Sequence, residues 1–349
     1  TKNNITMCYN GNIHNVDEIY KFLSNKIVLK RKDEAYVFFK LIEYYINRIR
    51  QTSDIIKFIE QINNMCKGAY SVILYIKSIG LISFKDKFGL KPLLCSIENI
   101  NKDNFRYSIS SESCSLDKNG FNNPIDLYNN EIIYINILNY FSIKKYTNIN
   151  PYSPCIFEYI YVSRVDSIFN NVSIYKARYN MGIYLAKKIK KLNIKFDYVI
   201  PIPDTSKVSA LAVADFLGVQ YKEIIIKNRY ISRTFIMKNN KERNLKLKLK
   251  FSIIKSIVKN KNVLIIDYSI VRGNTIRHVS NLFKNEEVNK IVVASCSPEI
   301  RYQNKYGIDI KSREELLLNK MNKSEILENL NIDDLIFQNI NDLILSITD

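Results

Sequence analysis

The sequence predicts an α+β domain followed by an α/β domain built on a parallel sheet. Short β-like runs punctuated by Asn, Asp and Gly crowd the first 145 of its 349 residues. From Ser173 onward, apolar strands alternate with helical segments, as in a parallel sheet covered on both faces. Between them, residues 147–154 carry two prolines and read as a linker, so the division falls as 1–145 and 146–349.

In the first part, residues 71–76, 80–84, 106–110 and 132–135 read as strands and 33–48 as a helix. Asn10-Gly11-Asn12 is a turn signal by default, although a side-chain amide beside a glycine N–H could also form an oxyanion hole. In the second part, Ser173 can cap a helix whose apolar face carries Met181, Leu185 and Ile189. Residues 198–202 read as a buried strand, 203–206 as a turn and 207–217 as a helix. Further strands are expected at 223–226, 263–266 and 291–295. Ligands on parallel sheets bind at the carboxyl ends of strands, where loops 204–206 and 267–275 fall.

Residues 264–275, Leu-Ile-Ile-Asp-Tyr-Ser-Ile-Val-Arg-Gly-Asn-Thr, are the most informative stretch. An apolar run ends in Asp267, a small-residue loop follows, and a helix begins. Exposed N–H groups at a helix start suit a phosphate. An acid just past the strand suits ribose hydroxyls or a cation. The plain alternative is an ordinary strand–helix connection. For Pro201-Ile-Pro-Asp-Thr-Ser206, a pyrophosphate or magnesium site competes with simple helix capping by Asp204, Thr205 or Ser206, and local sequence favours capping. Lys227, Arg229 and Arg233, with Tyr230 between, form a basic segment that reads as a polyphosphate lid or a solvated loop.

Composition narrows the classes. Hydrophobic content is 46% and charged content 25%, and no apolar run approaches a bilayer-crossing length. The opening residues are unlike a signal peptide, and the missing initiator Met leads us to expect a start partway through a longer reading frame. Six scattered cysteines and two histidines argue against a zinc site or a disulfide framework, so a cytoplasmic, reducing compartment is expected. The net charge of +18 comes from lysines spread along the whole chain, which reads as codon bias; neither nucleic acid nor membrane is expected as a partner.

Taken in order, these segments resemble the amidophosphoribosyltransferase family over nearly the whole chain. The likeness is carried by Tyr9-Asn-Gly-Asn-Ile13, Gly68-Ala-Tyr-Ser71, Phe84-Lys-Asp-Lys-Phe-Gly-Leu-Lys-Pro92 and Ser111-Glu-Ser113. It continues through Pro154-Cys-Ile-Phe-Glu-Tyr159, residues 200–206, Lys227-Asn-Arg-Tyr230, Arg233-Thr-Phe-Ile-Met237, residues 265–275, Pro298-Glu-Ile-Arg301 and Tyr306-Gly-Ile-Asp309. The resemblance implies a partial N-terminal-nucleophile glutaminase domain preceding a type I phosphoribosyltransferase domain. It implies transfer of ammonia, drawn from glutamine, to phosphoribosyl pyrophosphate, giving 5-phosphoribosylamine and pyrophosphate in the first step of purine synthesis.

By the same resemblance, Asn10 and Gly11 match the oxyanion hole and Asp33 the group holding the glutamine amine. Asp267, Ser269, Arg272, Gly273, Asn274 and Thr275, with Lys227, Arg229, Tyr230 and Arg233, match the phosphoribosyl pyrophosphate site. Ser206, Asp267 and the position of Tyr268 match the magnesium-associated groups, so Mg2+ is the implied cofactor. A homotetramer is the implied assembly.

Three departures stand out. The family's nucleophilic cysteine at the mature N-terminus has no counterpart, so this chain is expected not to hydrolyse glutamine. Tyr268 stands where the family has a second Asp, and a phenol does not replace a carboxylate toward magnesium. Cys155 matches one ligand of the iron–sulfur cluster of some relatives, but Asn304 stands at another and no later cysteine pair follows, so no cluster is expected. Two other readings compete: a non-catalytic phosphoribosyl-binding regulator, and an inactive remnant.

Overall fold

The computed structural model describes residues 5–49, 51, 53–101, 104–138, 140–147, 149–228, 230, 249–304, 306, 308, 310, 312–319 and 321–348. Two compact units emerge: 1–156 with 166–171 and 304–309, and 157–165 with 172–303 and 310–349. Residues 146–156, expected with the second domain, group with the first. Their backbone is tied there: Ser153 N donates to Phe88 O at 2.8 Å and Cys155 N to Leu90 O at 3.1 Å.

In the first unit, the apolar alternation of β2 (Gly68–Ile76) and β3 (Gly80–Lys85) builds the centre of an antiparallel sheet. That sheet runs β1 (Ile5–Ile13), β2, β3, β7 (Glu131–Asn136), β8 (Phe141–Lys145). Helices α1 (Val16–Ser24), α2 (Glu34–Ile46) and α3 (Asp54–Met65) turn apolar stripes onto it, placing Leu23, Phe38, Leu41, Phe58 and Ile62 in one core with Val72, Leu74 and Phe84. A smaller sheet, β5 (Asn104–Ser110), β4 (Leu94–Asn101), β6 (Ile125–Asp126), is also antiparallel. Helix α4 (Ser113–Lys118) and the short β9 (Ile168–Phe169) complete this unit.

The expected turn at Asn10-Gly11-Asn12 is instead mid-strand. Asn10 pairs with Ser71 and Gly11 with Tyr70 across β1 and β2. Glycine is required there by proximity: a Cβ on Gly11 would lie 2.3 Å from Ala69 O.

In the second unit, β10 (Val172–Ser173) leads into α5 (Ile174–Lys190). Ser173 caps this helix as expected, its hydroxyl accepting from Lys176 N at 3.3 Å. Met181, Leu185 and Ile189 are buried. The parallel sheet runs β12 (Gln220–Tyr221), β11 (Tyr198–Pro201), β15 (Asn262–Asp267), β16 (Lys290–Ser295), β17 (Asp334–Phe337). Val263, Ile265, Ile291 and Val293 pack with Ile276, Val279 and Phe283, while Leu264, Ile266 and Val292 of the opposite face are equally buried.

Helix α6 (Lys207–Leu217) follows β11, and α7 (Asn274–Lys284) follows β15. Helices α8 (Lys323–Leu330) and α9 (Ile340–Thr348) lie further along the chain. Residues 223–226, expected in the parallel sheet, are not part of it. There β13 (Ile225–Lys227) pairs antiparallel with β14 (Phe251–Ile253), which follows the basic segment. No helix among the described residues is long and apolar enough to cross a membrane.

Candidate functional site

Strand β15 ends on Asp267, and its carboxylate is 4% exposed. Burial pushes this carboxyl up to about 7, against the backbone N–H groups of Tyr268 and Ser269 and the Ser206 hydroxyl, which hold it down. Tyr268 N donates to Asp267 Oδ1 at 2.7 Å. Ser206, on the loop after the adjacent strand β11, is 1% exposed, and its Oγ makes no hydrogen bond of full geometry despite lying near Asp267. Two neighbouring parallel strands thus deliver a buried carboxylate and an unsatisfied buried hydroxyl to one end of the sheet. Unsatisfied buried groups are costly and cluster where a ligand completes them.

The capping that local sequence favours for 204–206 does not occur. Helix α6 has Ser206 at its N-cap with no side-chain cap bond. Asp204 Oδ2 instead accepts from Lys227 Nζ at 2.8 Å, which joins the pyrophosphate-type loop to the start of the basic segment. Tyr230 is 98% exposed. Arg229 and Arg233 lie outside the described residues.

Ser269, Arg272, Gly273, Asn274 and Thr275 form the loop that opens α7. Gly273 takes φ +75° just before the first helical residue, Asn274, a conformation that L side chains adopt with strain. As at any helix start, the first N–H groups of α7 have no carbonyl partner inside their helix. The Arg272 guanidinium donates from Nε to Glu315 Oε2 at 2.8 Å, with Nη2 on the same oxygen. Sequence reasoning missed Glu315, since nothing in residues 312–316 marks it as more than a surface acid.

Tyr268 does not present a carboxylate substitute. Its ring stacks on Tyr161 at 4.8 Å between centroids and 29° between planes. Tyr161 sits on a π-helical turn, Glu158–Val162, and buried Arg178 holds one carbonyl within the turn and one just after it. Arg178 Nε donates to Tyr159 O at 2.9 Å and Nη2 to Ser163 O at 2.7 Å.

In the first unit, Asn10 and Gly11 on β1 are tied to the start of α2 by Glu34, another residue the sequence did not single out. Glu34 Oε1 accepts from Tyr9 OH at 2.5 Å and from Ile13 N at 2.8 Å, bracketing the Asn10–Gly11 pair. Its neighbour Asp33 caps α2, with Oδ1 accepting from Tyr36 N at 3.1 Å and Oδ2 receiving Arg31 Nε at 2.7 Å. The Arg31 hydrogen bond, with that cap, holds the Asp33 carboxyl below its ordinary range.

Comparison with known proteins fits both halves. Residues 172–325 match the phosphoribosyl transferase domain family, and residues 1–117 match a glutamine amidotransferase domain family. The amidophosphoribosyltransferase of Escherichia coli strain K12 is 35% identical over 97% of this chain and 69% of its own length. That of Saccharomyces cerevisiae is 32% identical over the same shares. Among solved structures, the B. subtilis glutamine phosphoribosylpyrophosphate amidotransferase complexed with ADP and GMP superposes with a TM-score of 0.79 at 29% identity, covering 98% of this chain and 72% of that one. A structure described as the allosteric regulatory enzyme of purine biosynthesis reaches 0.81 at 29% identity, over 99% and 72%.

Proposed function

This chain belongs to the amidophosphoribosyltransferase family, and from that premise we propose that it transfers ammonia to phosphoribosyl pyrophosphate at the end of its parallel sheet, releasing pyrophosphate. The observation that carries the site assignment is the pairing of buried Asp267 with the unsatisfied Ser206 hydroxyl beside a loop that opens a helix. Asp267 holds the ribose hydroxyls, residues 269–275 hold the 5′-phosphate, and Ser206 with Lys227 holds the pyrophosphate end.

The donor set fits magnesium as a partly protein-held ion. Among the described residues no three His, Cys, Asp or Glu side chains converge. One carboxylate and one hydroxyl are present, and magnesium keeps its remaining oxygens from substrate and water. When bound, the ion neutralises charge on the departing pyrophosphate. The chain's own part is positioning. The loop fixes the phosphoribosyl group, buried Asp267 orients the ring for displacement at the anomeric carbon, and the basic segment meets the leaving group. In the first unit, Asn10 and Gly11 stand at the family's oxyanion-hole positions and Asp33 at the position that holds the glutamine amino group, while the ammonia for transfer need not come from this chain's own hydrolysis of glutamine.

A second reading, a regulator that binds phosphoribosyl groups without turnover, draws on one observation: the phenol of Tyr268 is stacked where an acid would serve catalysis. Calorimetric titration with phosphoribosyl pyrophosphate and magnesium tests the shared site. Asp267→Asn is expected to abolish binding, and unchanged binding would remove Asp267 from the site.

A further inference from the structure

We propose that Glu315 is a positioning residue for the phosphoribosyl site, fixing the Arg272 side chain at the loop through two hydrogen bonds to one oxygen; the proposal rests on the reading of residues 267–275 given above. Three successive loop residues are met by the same short segment. Val271 O accepts from Leu317 N at 3.0 Å. Arg272 is held by Glu315 Oε2. A Cβ on Gly273 would meet Leu317 Cδ2 at 3.2 Å and Leu330 Cδ2 at 2.8 Å. Residues 315–317 therefore form the wall against which the loop is set.

The pair is only partly solvated, with side chains 17% exposed for Arg272 and 39% for Glu315. A long arginine in such a place has many rotamers, and a fixed carboxylate removes that freedom before substrate arrives. The Nε and Nη2 donors go to the carboxylate, so the plane of the guanidinium is set by Glu315. A carboxylate near a phosphate also repels it. Orientation outweighs repulsion if the glutamate positions, and repulsion wins if it merely occupies the arginine. The two cases move affinity in opposite directions.

The test is steady-state kinetics in phosphoribosyl pyrophosphate with ammonium and magnesium, using Glu315→Ala, Glu315→Gln, Arg272→Ala and the Arg272→Ala/Glu315→Ala double variant. Because the 5′-phosphate is remote from the reacting carbon, Glu315→Ala is expected to raise KM about tenfold with little change in kcat. Glu315→Gln keeps an acceptor oxygen in the same place and is expected to stay within about threefold of the parent. In the Arg272→Ala background, removing Glu315 is expected to add nothing. An unchanged or lower KM in Glu315→Ala, or a KM that rises as much on removing Glu315 from Arg272→Ala as from the parent, overturns the proposal while the loop assignment stands. An Arg272→Ala variant with parental KM overturns the loop assignment and the proposal with it. If Glu315→Ala does not fold, Glu315→Gln decides: a KM raised tenfold despite its retained acceptor contradicts orientation by geometry.

Discussion

Replacing Lys85 by Met should stabilise the protein at neutral pH. Lys85 closes β3 with its side chain inside the first unit, 1% exposed. Its ammonium lies 5.4 Å from the Tyr152 ring centroid and 5.9 Å from that of Phe169, with no hydrogen-bond partner among the described residues. Burial lowers its pKa from 10.5 to about 8, opposed by the charges of Asp126, Asp86 and Glu131. At about 1.4 kcal/mol for each tenfold change in proton affinity, keeping this charge buried costs about 3 kcal/mol. The unfolded chain holds the proton up to pH 10.5 and the folded chain sheds it near 8, so folding stability rises with pH across that window.

Methionine keeps the apolar stem and removes the charge. The loss of the ring contacts takes back roughly 1–2 kcal/mol. The neighbouring acids retain other partners: Asp86 accepts from the N–H groups of Tyr70, Phe88 and Leu90, and Asp126 from those of Asn170 and Asn171. We expect Lys85→Met to gain about 1–2 kcal/mol at pH 7, the advantage to vanish near pH 9, and the parent to be the more stable by about pH 10. Urea unfolding followed by far-UV circular dichroism at several pH values measures both quantities. A variant less stable than the parent at pH 7, or a difference that does not change with pH, would show that the Lys85 charge is not held at a cost.

Three further substitutions probe the second unit. A Cβ on Gly182 would lie 2.3 Å from the Ser209 carbonyl oxygen, where α5 crosses α6, so Gly182→Ala should lower stability by about 1–3 kcal/mol in thermal unfolding. Ser206→Ala removes a buried hydroxyl that makes no hydrogen bond of full geometry but helps hold the Asp267 carboxyl down, so the melting temperature should fall little while calorimetric affinity for phosphoribosyl pyrophosphate falls; intact affinity would dissociate Ser206 from the site. Tyr268→Asp loses the stack on Tyr161, worth about 0.5–1.5 kcal/mol, but restores the second acid, so kcat/KM should rise and magnesium dependence steepen; no change in either would sink that idea.

The alternation of strands and helices after Ser173 was legible because each apolar run is bounded by turn residues and each helix has its own period. The loop 267–275 was legible for the same reason, since its strand, acid and helix start are contiguous. Strand β1 was hidden because Asn10, Gly11 and Asn12 are turn-forming residues by local preference, and pairing with β2 overrides that preference. Residues 225–227 look like a sheet strand but find their partner at 251–253, across the basic segment, which no local pattern reveals. Ser206 looked like a cap, and only the fold shows its hydroxyl turned inward. Glu315, Glu34 and Tyr161 meet Arg272, Ile13 and Tyr268, which lie 43, 21 and 107 positions away in the chain, so no local pattern marks them.

Turnover at Asp267 and the loop that follows it separates an enzyme from a binding protein at this site. The most direct measurement is pyrophosphate release from phosphoribosyl pyrophosphate by the purified chain, with magnesium and ammonium, compared against Asp267→Asn. Release is expected to depend on ammonium and to be lost in the variant. Tight binding of phosphoribosyl pyrophosphate without release would contradict catalysis and leave a binding protein in its place.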